Sequence, residues 1–477
     1  MTEVRSEETF DAIVIGAGPV GENVADRLVK GGLSTLLVEA ELIGGECSYW
    51  ACMPSKALIR PGVALNNARQ LAGSREAING QLDAQAVLER RNSFASNWKD
   101  DGQLEWVENA GISLRRGKAW LIAPRTVEIA DPEAGTHLAH ARQVVVLATG
   151  SVPTTPDIPG LAEISFWGTR EATSSPRVPE SLLVIGGGVA GTELAQAYAR
   201  LGASVSQLMR GKLLAKMPEP ARKLVAEGLA KDSVKLREGV SFRKVSRDSA
   251  GVHLELDDGE ILQAEEILVA TGRTPAVTEL GLAALELSGF DGRRLRTDQS
   301  GKVDGTDWLY AVGDVAGKVL LTHQGKYEAR ITGDAIVARI NGDFDGTAKD
   351  WGKYTQTADQ YAVPSVVFTD PEIATVGRTV ERAEQDGVKV TEVSLPIAVA
   401  GSSLYLDDYQ GWAQLVIDAD RNVIIGATFA GPDVAELLHS ATIAIVGEVP
   451  LDRLWHAVPS YPTVSEIWLR LLEKLGL

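Results

Sequence analysis

Phe10-Asp11-Ala12-Ile13-Val14-Ile15-Gly16-Ala17-Gly18-Pro19-Val20-Gly21 is a short apolar run ending in three glycines spaced GxGxxG. A helix-like stretch to Lys30 follows, and then Thr35-Leu36-Leu37-Val38-Glu39. Strand, glycine turn, helix, strand and terminal carboxylate, in that order, make a dinucleotide-binding unit. Gly16, Gly18 and Gly21 let the backbone approach a pyrophosphate at a helix N-terminus, and Glu39, 18 residues after Gly21, can accept from ribose hydroxyls. A purely structural glycine turn is the other reading of GxGxxG, and the flanking strands and acid weigh against it.

The pattern returns 170 residues later as Ser181-Leu182-Leu183-Val184-Ile185-Gly186-Gly187-Gly188-Val189-Ala190-Gly191, with a helical stretch containing Glu193 to Ala199 and a strand from Ser204 to Met209. Gly186, Gly188 and Gly191 repeat the phosphate turn, so the chain is built for two nucleotides. Residues 60–110 between the units read as helical. The runs Val144-Val145-Val146-Leu147-Ala148-Thr149-Gly150 and Glu266-Ile267-Leu268-Val269-Ala270-Thr271-Gly272 close the two units, each stopped by Gly and followed by a crossover carrying Pro153 or Pro275. Trp308-Leu309-Tyr310-Ala311-Val312-Gly313-Asp314 reads as a further buried strand ending in an acid. From about Gly342 strands alternate with amphipathic helices and no glycine turn occurs, which points to a third, α+β domain. The expected division is 1–150, 151–272, 273–341 as a return to the first domain, and 342–477.

A net charge of −17 over 477 residues disfavours binding to nucleic acid or to anionic membrane surfaces. No apolar run approaches the ~20 residues of a membrane helix. Met1-Thr2-Glu3-Val4-Arg5-Ser6-Glu7-Glu8 lacks the basic and apolar regions of a signal peptide, so a cytoplasmic protein is expected. The six histidines form no HExxH or CxxH group, and no metal site is expected.

Only two cysteines occur, Cys47 and Cys52, which rules out a disulfide-stapled scaffold and a four-cysteine zinc site. They lie in Gly44-Gly45-Glu46-Cys47-Ser48-Tyr49-Trp50-Ala51-Cys52-Met53-Pro54-Ser55-Lys56. Pro54 suits the first turn of a helix, whose dipole would stabilise a thiolate at Cys52. A structural disulfide closing so short a loop constrains the unfolded chain by only ~2 kcal/mol, so the pair suits redox exchange better than stapling.

With these residues in place the chain resembles the flavoprotein disulfide reductases, the class I pyridine nucleotide-disulfide oxidoreductases that include lipoamide dehydrogenase, glutathione reductase and mercuric reductase. The likeness runs through nearly the whole chain: Gly16 to Glu39, GGxCx4CxPSK at Gly44 to Lys56, Gly186 to Gly191, both ATG strands, AVGD at Ala311 to Asp314, FTDPEIATVG at Phe368 to Gly377, and PTxSE at Pro462 to Glu466. The resemblance implies an α/β fold of two doubly wound Rossmann-like nucleotide-binding domains plus a C-terminal α+β dimerisation domain. It implies FAD on Gly16, Gly18, Gly21, Glu39, Gly45, Lys56, Thr149, Gly150 and Asp314, with Asp314 near the ribityl chain, and a pyridine nucleotide on Gly186, Gly188, Gly191 and Gly272. Cys52 would face the flavin, Cys47 would be the interchange thiol, and Lys56 and Glu193 would pair beside the flavin. In a homodimer, Tyr461 and Glu466 would complete the site across the subunit boundary. Read without the resemblance, Lys56 and Glu193 are a surface lysine and a surface helix glutamate, because such residues are mostly exposed.

Three departures from the family pattern matter. Tyr461 stands where disulfide-reducing members carry a catalytic His, and His456 reads either as a packed or surface residue or as a displaced base. A phenol ordinarily titrates near ~10 and an imidazole near ~6.5. Acid-base assistance is worth ~10²–10⁴-fold, so slow reduction of lipoamide and glutathione disulfide is expected. Mercuric reductase also has Tyr here but uses a further C-terminal cysteine pair, and its absence disfavours mercury reduction. Tyr49-Trp50 reads as packing, or as an aromatic wall for a flat acceptor such as a quinone. The strand ending at Met209 carries no acid and is followed by Arg210, Lys212 and Lys216. Resemblance to glutathione reductase at Arg210 and Lys216 implies NADPH, a solvated basic loop being the other reading, while Gly191 in place of Ala keeps NADH possible.

The expectation is a homodimeric FAD enzyme passing electrons from NADPH through Cys47-Cys52 to a small-molecule electron acceptor. The alternatives are an NAD(P)H:quinone or dye reductase acting directly from flavin, and a redox or soft-metal sensor without turnover.

Overall fold

The computed structural model describes residues 4–477 and divides into two compact units. The first comprises the chain up to Met53, Ala95–Thr154 and Arg273–Asp359; the second comprises Pro54–Phe94, Thr155–Gly272 and Gln360–Leu477.

The first unit is built on a sheet whose parallel core runs in the order Ser113–Arg116, Thr35–Glu39, Val4–Ile15, Gly135–Leu147, with Leu309–Ala311 on the far side of Gly135–Leu147. Ile13, Ile15, Val145 and Leu147 enter one core, while Ala12, Val14, Val144 and Val146 enter another. Covering on both faces explains why these strands read as continuous apolar runs rather than alternating ones. The first half of Gly135–Leu147 instead pairs antiparallel with Thr126–Asp131, which pairs with Lys118–Ala123. The two proline-bearing crossovers meet each other: Ser151–Pro153 pairs antiparallel with Arg273–Pro275.

The second unit holds a four-stranded parallel sheet in the order Lys235–Glu238, Ser204–Met209, Ser181–Ile185, Glu266–Val269. It also holds an antiparallel meander from Phe242–Asp248 to Ile261–Ala264. The C-terminal part is a five-stranded antiparallel sheet ordered Pro364–Val367, Glu372–Gly377, Val423–Gly431, Trp412–Asp418, Val390–Pro396. Its central strand, Val423–Gly431, is buried at every position. The helices Leu438–Val446 and Ile467–Lys474 belong to this part. The architecture is the α/β fold with two doubly wound sheets and a C-terminal α+β body that the sequence leads one to expect. Among the described residues no helix is long and apolar enough to cross a membrane.

Candidate functional site

Gly16 leaves the first strand at φ +100, where a Cβ would stand 2.4 Å from the Ala148 carbonyl oxygen; at Gly21 a Cβ would stand 1.8 Å from the Gly16 oxygen. Around the Cβ position of Gly18 there is nothing within 4 Å, so the middle of the turn is open. The helix Pro19–Lys30 begins with Pro, whose missing N–H would have had no helical partner there. Glu39 closes the turn: Oε2 accepts the Ala17 N–H at 2.7 Å and Oε1 the Glu41 N–H at 2.8 Å. Burial raises its pKa against the opposing pull of these two N–H groups. Lone pairs remain on both oxygens for ribose hydroxyls.

The cysteine segment hangs from this turn. The Gly44 N–H donates to the Ala17 oxygen at 2.8 Å. A Cβ on Gly45, which has φ +57, would lie 2.8 Å from the Gly18 Cα. Glycine at 45 therefore permits the short helix Gly45–Tyr49, which carries Cys47, to start against the phosphate turn. Cys52 opens the 18-residue helix Cys52–Arg69, and its Sγ lies 3.4 Å from Thr322 Oγ1. A helix N-terminus and a nearby hydroxyl both favour the thiolate.

Asp314 accepts the Ser151 hydroxyl at 2.5 Å, and burial raises its pKa. Arg273 donates to Ser151 Oγ at 2.8 Å and to its carbonyl at 2.6 Å. The Gly313 N–H donates at 2.7 Å to Glu328, a wholly buried acid that burial pushes up to about 8. The Thr149 hydroxyl donates to the Ala276 oxygen at 3.0 Å, and Gly150, at φ +74, accepts the Ala276 N–H at 3.0 Å. An open glycine cradle with one acid closing it and a second acid at the Gly313 turn fits FAD.

In the second unit a Cβ at Gly186 would meet the Ala270 oxygen at 2.3 Å and one at Gly191 the Gly186 oxygen at 2.8 Å, while Gly188 and Gly272 face open space. Arg210, Lys212 and Lys216 are exposed, and the Arg210 guanidinium lies 5.8 Å from the centroid of the Phe242 ring. Lys56 Nζ pairs with Glu193 Oε2 at 2.7 Å. The surface reading of Glu193 is wrong: the residue is 2% exposed, and its other oxygen accepts the Phe368 N–H at 2.9 Å. Lys56 Nζ also lies 4.8 Å from the centroid of the Phe368 ring. Tyr461 is 75% exposed. Glu466 is buried, with Oε1 accepting from Arg470 at 2.6 Å and Oε2 without a hydrogen-bond partner among the described residues. His456 is exposed.

Residues 10–329 match the family model described as pyridine nucleotide-disulphide oxidoreductase, and residues 363–471 match the dimerisation domain of the same family. The chain belongs to the pyridine nucleotide-disulphide oxidoreductases. A dihydrolipoyl dehydrogenase of Chlorobaculum tepidum is 31% identical, over 96% of this oxidoreductase and 95% of its relative. A mercuric reductase of Staphylococcus aureus is 28% identical, over 96% and 81% respectively. Among solved structures, the Cu(II) complex of the HOCl-induced flavoprotein disulfide reductase RclA from Escherichia coli superposes with a TM-score of 0.83 at 22% identity, covering 98% of this chain and 99% of that one. The family uses FAD and a pyridine nucleotide.

Sequence reasoning missed several residues of this oxidoreductase's site. Ser151 and Arg273 each directly follow an ATG run, and that parallel placement was a usable signal for the pairing of the two crossovers. Thr322 carries no local signal, and Phe368, though it opens the FTDPEIATVG segment, gives no sign of its partner; only the fold brings Thr322 to Cys52 and Phe368 to Glu193.

Proposed function

We propose that this oxidoreductase works as a homodimer that takes a hydride from NADPH and delivers the electron pair through Cys47 and Cys52 to a small-molecule acceptor. The observation that carries this reading is Cys52 at the head of a long helix with the Thr322 hydroxyl at 3.4 Å, in the unit whose glycine turn holds the Cys47 helix. Bound FAD supplies the two-electron relay between nicotinamide and sulfur. The first half-reaction balances as NADPH plus a proton plus the Cys47–Cys52 disulfide giving NADP⁺ and the dithiol. The second returns the disulfide as the acceptor takes two electrons and two protons.

The chain's own groups divide the remaining work. Gly16, Gly18 and Gly21 seat the pyrophosphate of FAD, Glu39 binds its ribose, Gly45, Thr149 and Gly150 shape its cradle, and Asp314 orients its chain. Gly186, Gly188, Gly191 and Gly272 seat the pyridine nucleotide, while Arg210 and Lys216 neutralise a 2′-phosphate. Glu193, itself fixed by the Phe368 N–H, holds the Lys56 ammonium in place, the pair that the family pattern puts beside the flavin. Self-association is supported by the dimerisation-domain match and by exposed apolar side chains in the same part of the chain, Ile443 at 58% and Val458 at 85%.

Tyr461 sets the acceptor class. A phenol donates a hydrogen bond but is a poor base at neutral pH, so Cys47 must ionise with its own pKa, ordinarily ~8.5. Stopped-flow reoxidation of the NADPH-reduced protein tests the scheme. Disulfides should react slowly at pH 7 and faster toward alkaline pH, and Tyr461→His should raise that rate by at least ~10-fold if Glu466 orients the new ring. Cys47→Ser should abolish turnover; retained turnover would identify a quinone or dye reductase acting directly from flavin. Cys52→Ser should abolish the long-wavelength absorbance of the two-electron-reduced protein, which Cys47→Ser should keep. Fast lipoamide turnover at neutral pH, indifferent to Tyr461→Phe, would overturn the assignment of Tyr461 and direct attention to His456.

A further inference from the structure

The scheme above uses both thiols but neither aromatic residue between them. The structure separates the two: Tyr49 is 1% exposed, whereas Trp50 is half-buried. The Tyr49 hydroxyl donates to the Ile43 oxygen at 2.9 Å and lies 3.4 Å from the Lys99 oxygen. Its own carbonyl accepts the indole N–H of Trp98 at 3.2 Å. Tyr49 is therefore an anchor of the cysteine segment and not a wall for an acceptor.

The segment that grips it is unusual. Ser96, Asn97 and Trp98 have φ of 49, 50 and 54, three successive non-glycine residues in the left-handed region. Crowding between Cβ and carbonyl makes such a run unfavourable, so surrounding bonds must hold it. Those bonds reach both ends of the segment that carries Cys47. At Trp98 and Lys99 the turn meets Tyr49; one residue on, Asp100 Oδ2 accepts the Ile43 N–H at 2.8 Å and is itself bound by Arg116 at 2.6 Å. Cys47 rides on a helix of only five residues, Gly45–Tyr49, which is too short to hold its own geometry.

We propose that Trp98 and Tyr49 are positioning residues of the redox pair: they fix the backbone from Ile43 to Tyr49 so that Cys47 is presented to Cys52 in a geometry that favours the disulfide. The inference rests on the redox reading of the two cysteines. Disulfide formation needs a narrow range of Cα and Cβ separations. A tethered backbone therefore raises the equilibrium constant for closing the bond. Removing one hydrogen bond, worth ~1 kcal/mol, should lower that constant by roughly 5-fold, or about 20 mV for a two-electron couple.

The experiment equilibrates the holoprotein in reduced and oxidised glutathione at a series of ratios, traps thiols by alkylation and counts them by mass. Trp98→Phe keeps an aromatic ring and removes the donor; Tyr49→Phe removes the hydroxyl; Trp98→His restores a ring N–H. Expected are a shift toward dithiol of roughly 5-fold in both Phe variants and partial recovery with His. Asn97→Gly, which relieves the left-handed turn without touching either bond, should keep the wild-type equilibrium. Should Trp98→Phe fail to fold, Tyr49→Phe decides alone. Wild-type equilibrium in the Phe variants, with only the thermal midpoint lowered, would reduce the two residues to structural ones and overturn the proposal while leaving the redox reading intact. A wild type that never forms the disulfide at any ratio would overturn both.

Discussion

The two glycine turns of this chain share a sequence pattern and differ in how tightly they are built and how they end. In the first, Gly21 presses on the Gly16 oxygen so closely that a Cβ would stand at 1.8 Å; in the second, the matching gap at Gly191 is 2.8 Å. The first turn is closed by Glu39, whose carboxylate accepts the Ala17 N–H. The second strand ends at Met209 with Arg210 after it, and a side-chain amide, Gln207 Nε2, donates instead to the Gly186 oxygen at 2.8 Å. After the third glycine the first helix carries Glu22 and the second Thr192, whose hydroxyl donates to the Gly188 oxygen at 2.8 Å. One backbone device thus serves two ligands. Under the proposed function the glycines provide the shared phosphate site, and the charge at the end of the second strand is what would distinguish a ribose hydroxyl from a phosphate.

The sharpest way to break this comparison is to add one methyl group to each turn. Gly21→Ala forces the Gly16 backbone to move, and overpacking of this kind costs ~1–3 kcal/mol, or roughly 5–150-fold in FAD retention. Gly191→Ala also forces the Gly186 backbone to move, but from 2.8 Å rather than 1.8 Å and with ~1 kcal/mol of helix propensity gained in return, so pyridine nucleotide affinity should fall by less than FAD retention does. Equilibrium dialysis of FAD and titration of NADPH measure the two; equal losses would mean that the turns are not differently tight.

Next in size is the charge difference. A charge-assisted contact to a phosphate contributes ~1.5–3 kcal/mol, so Arg210→Ala should raise KM for NADPH by about 10-fold or more and barely alter KM for NADH. Steady-state kinetics at two ionic strengths should show the NADPH term weakening with salt. A wild type that prefers NADH would make the basic loop a solvated surface.

The smallest effect concerns Glu22 against Thr192. Burial pushes Glu22 from its ordinary 4.5 up to about 7, with Lys326 opposing and Glu39 reinforcing the shift. A carboxyl whose pKa is raised by folding binds its proton more tightly in the native state. Its stabilising contribution is complete below about 4.5 and is lost as pH rises through about 7. Glu22→Gln should therefore flatten the fall of Tm between those pH values by roughly 1–3 °C relative to wild type. Glu328, Asp359 and Glu372, also raised by burial, titrate in both proteins and cancel in the difference. Parallel Tm curves would show that Glu22 is solvated.

Much of the candidate site could be read from sequence because its parts are local. A strand, a glycine turn, a helix and an acid within thirty residues are fixed by backbone sterics and by hydrogen bonds between near neighbours, and so is a cysteine five positions before another at the head of a helix. The residues that were misread or missed depend on long-range contacts. Glu193 reads as a surface glutamate until the Phe368 segment, 175 residues on, supplies its backbone N–H. Tyr49 reads as packing or as an acceptor wall until Trp98 takes its carbonyl.

The sequence by itself set out two nucleotide-type glycine turns, placed its only two cysteines in the family's CxxxxC pattern, and put a tyrosine where the disulfide-reducing members carry a histidine. These rest on residue identity and short spacing, which the tertiary structure does not alter. Tertiary structure alone decided which polar groups are buried and what holds them: Ser151 and Arg273 joined through paired crossovers, Thr322 at the Cys52 sulfur, and a left-handed turn gripping the cysteine segment. The physical reason is that burying a charge or hydroxyl is costly unless a partner meets it, and the partners here come from distant parts of the chain.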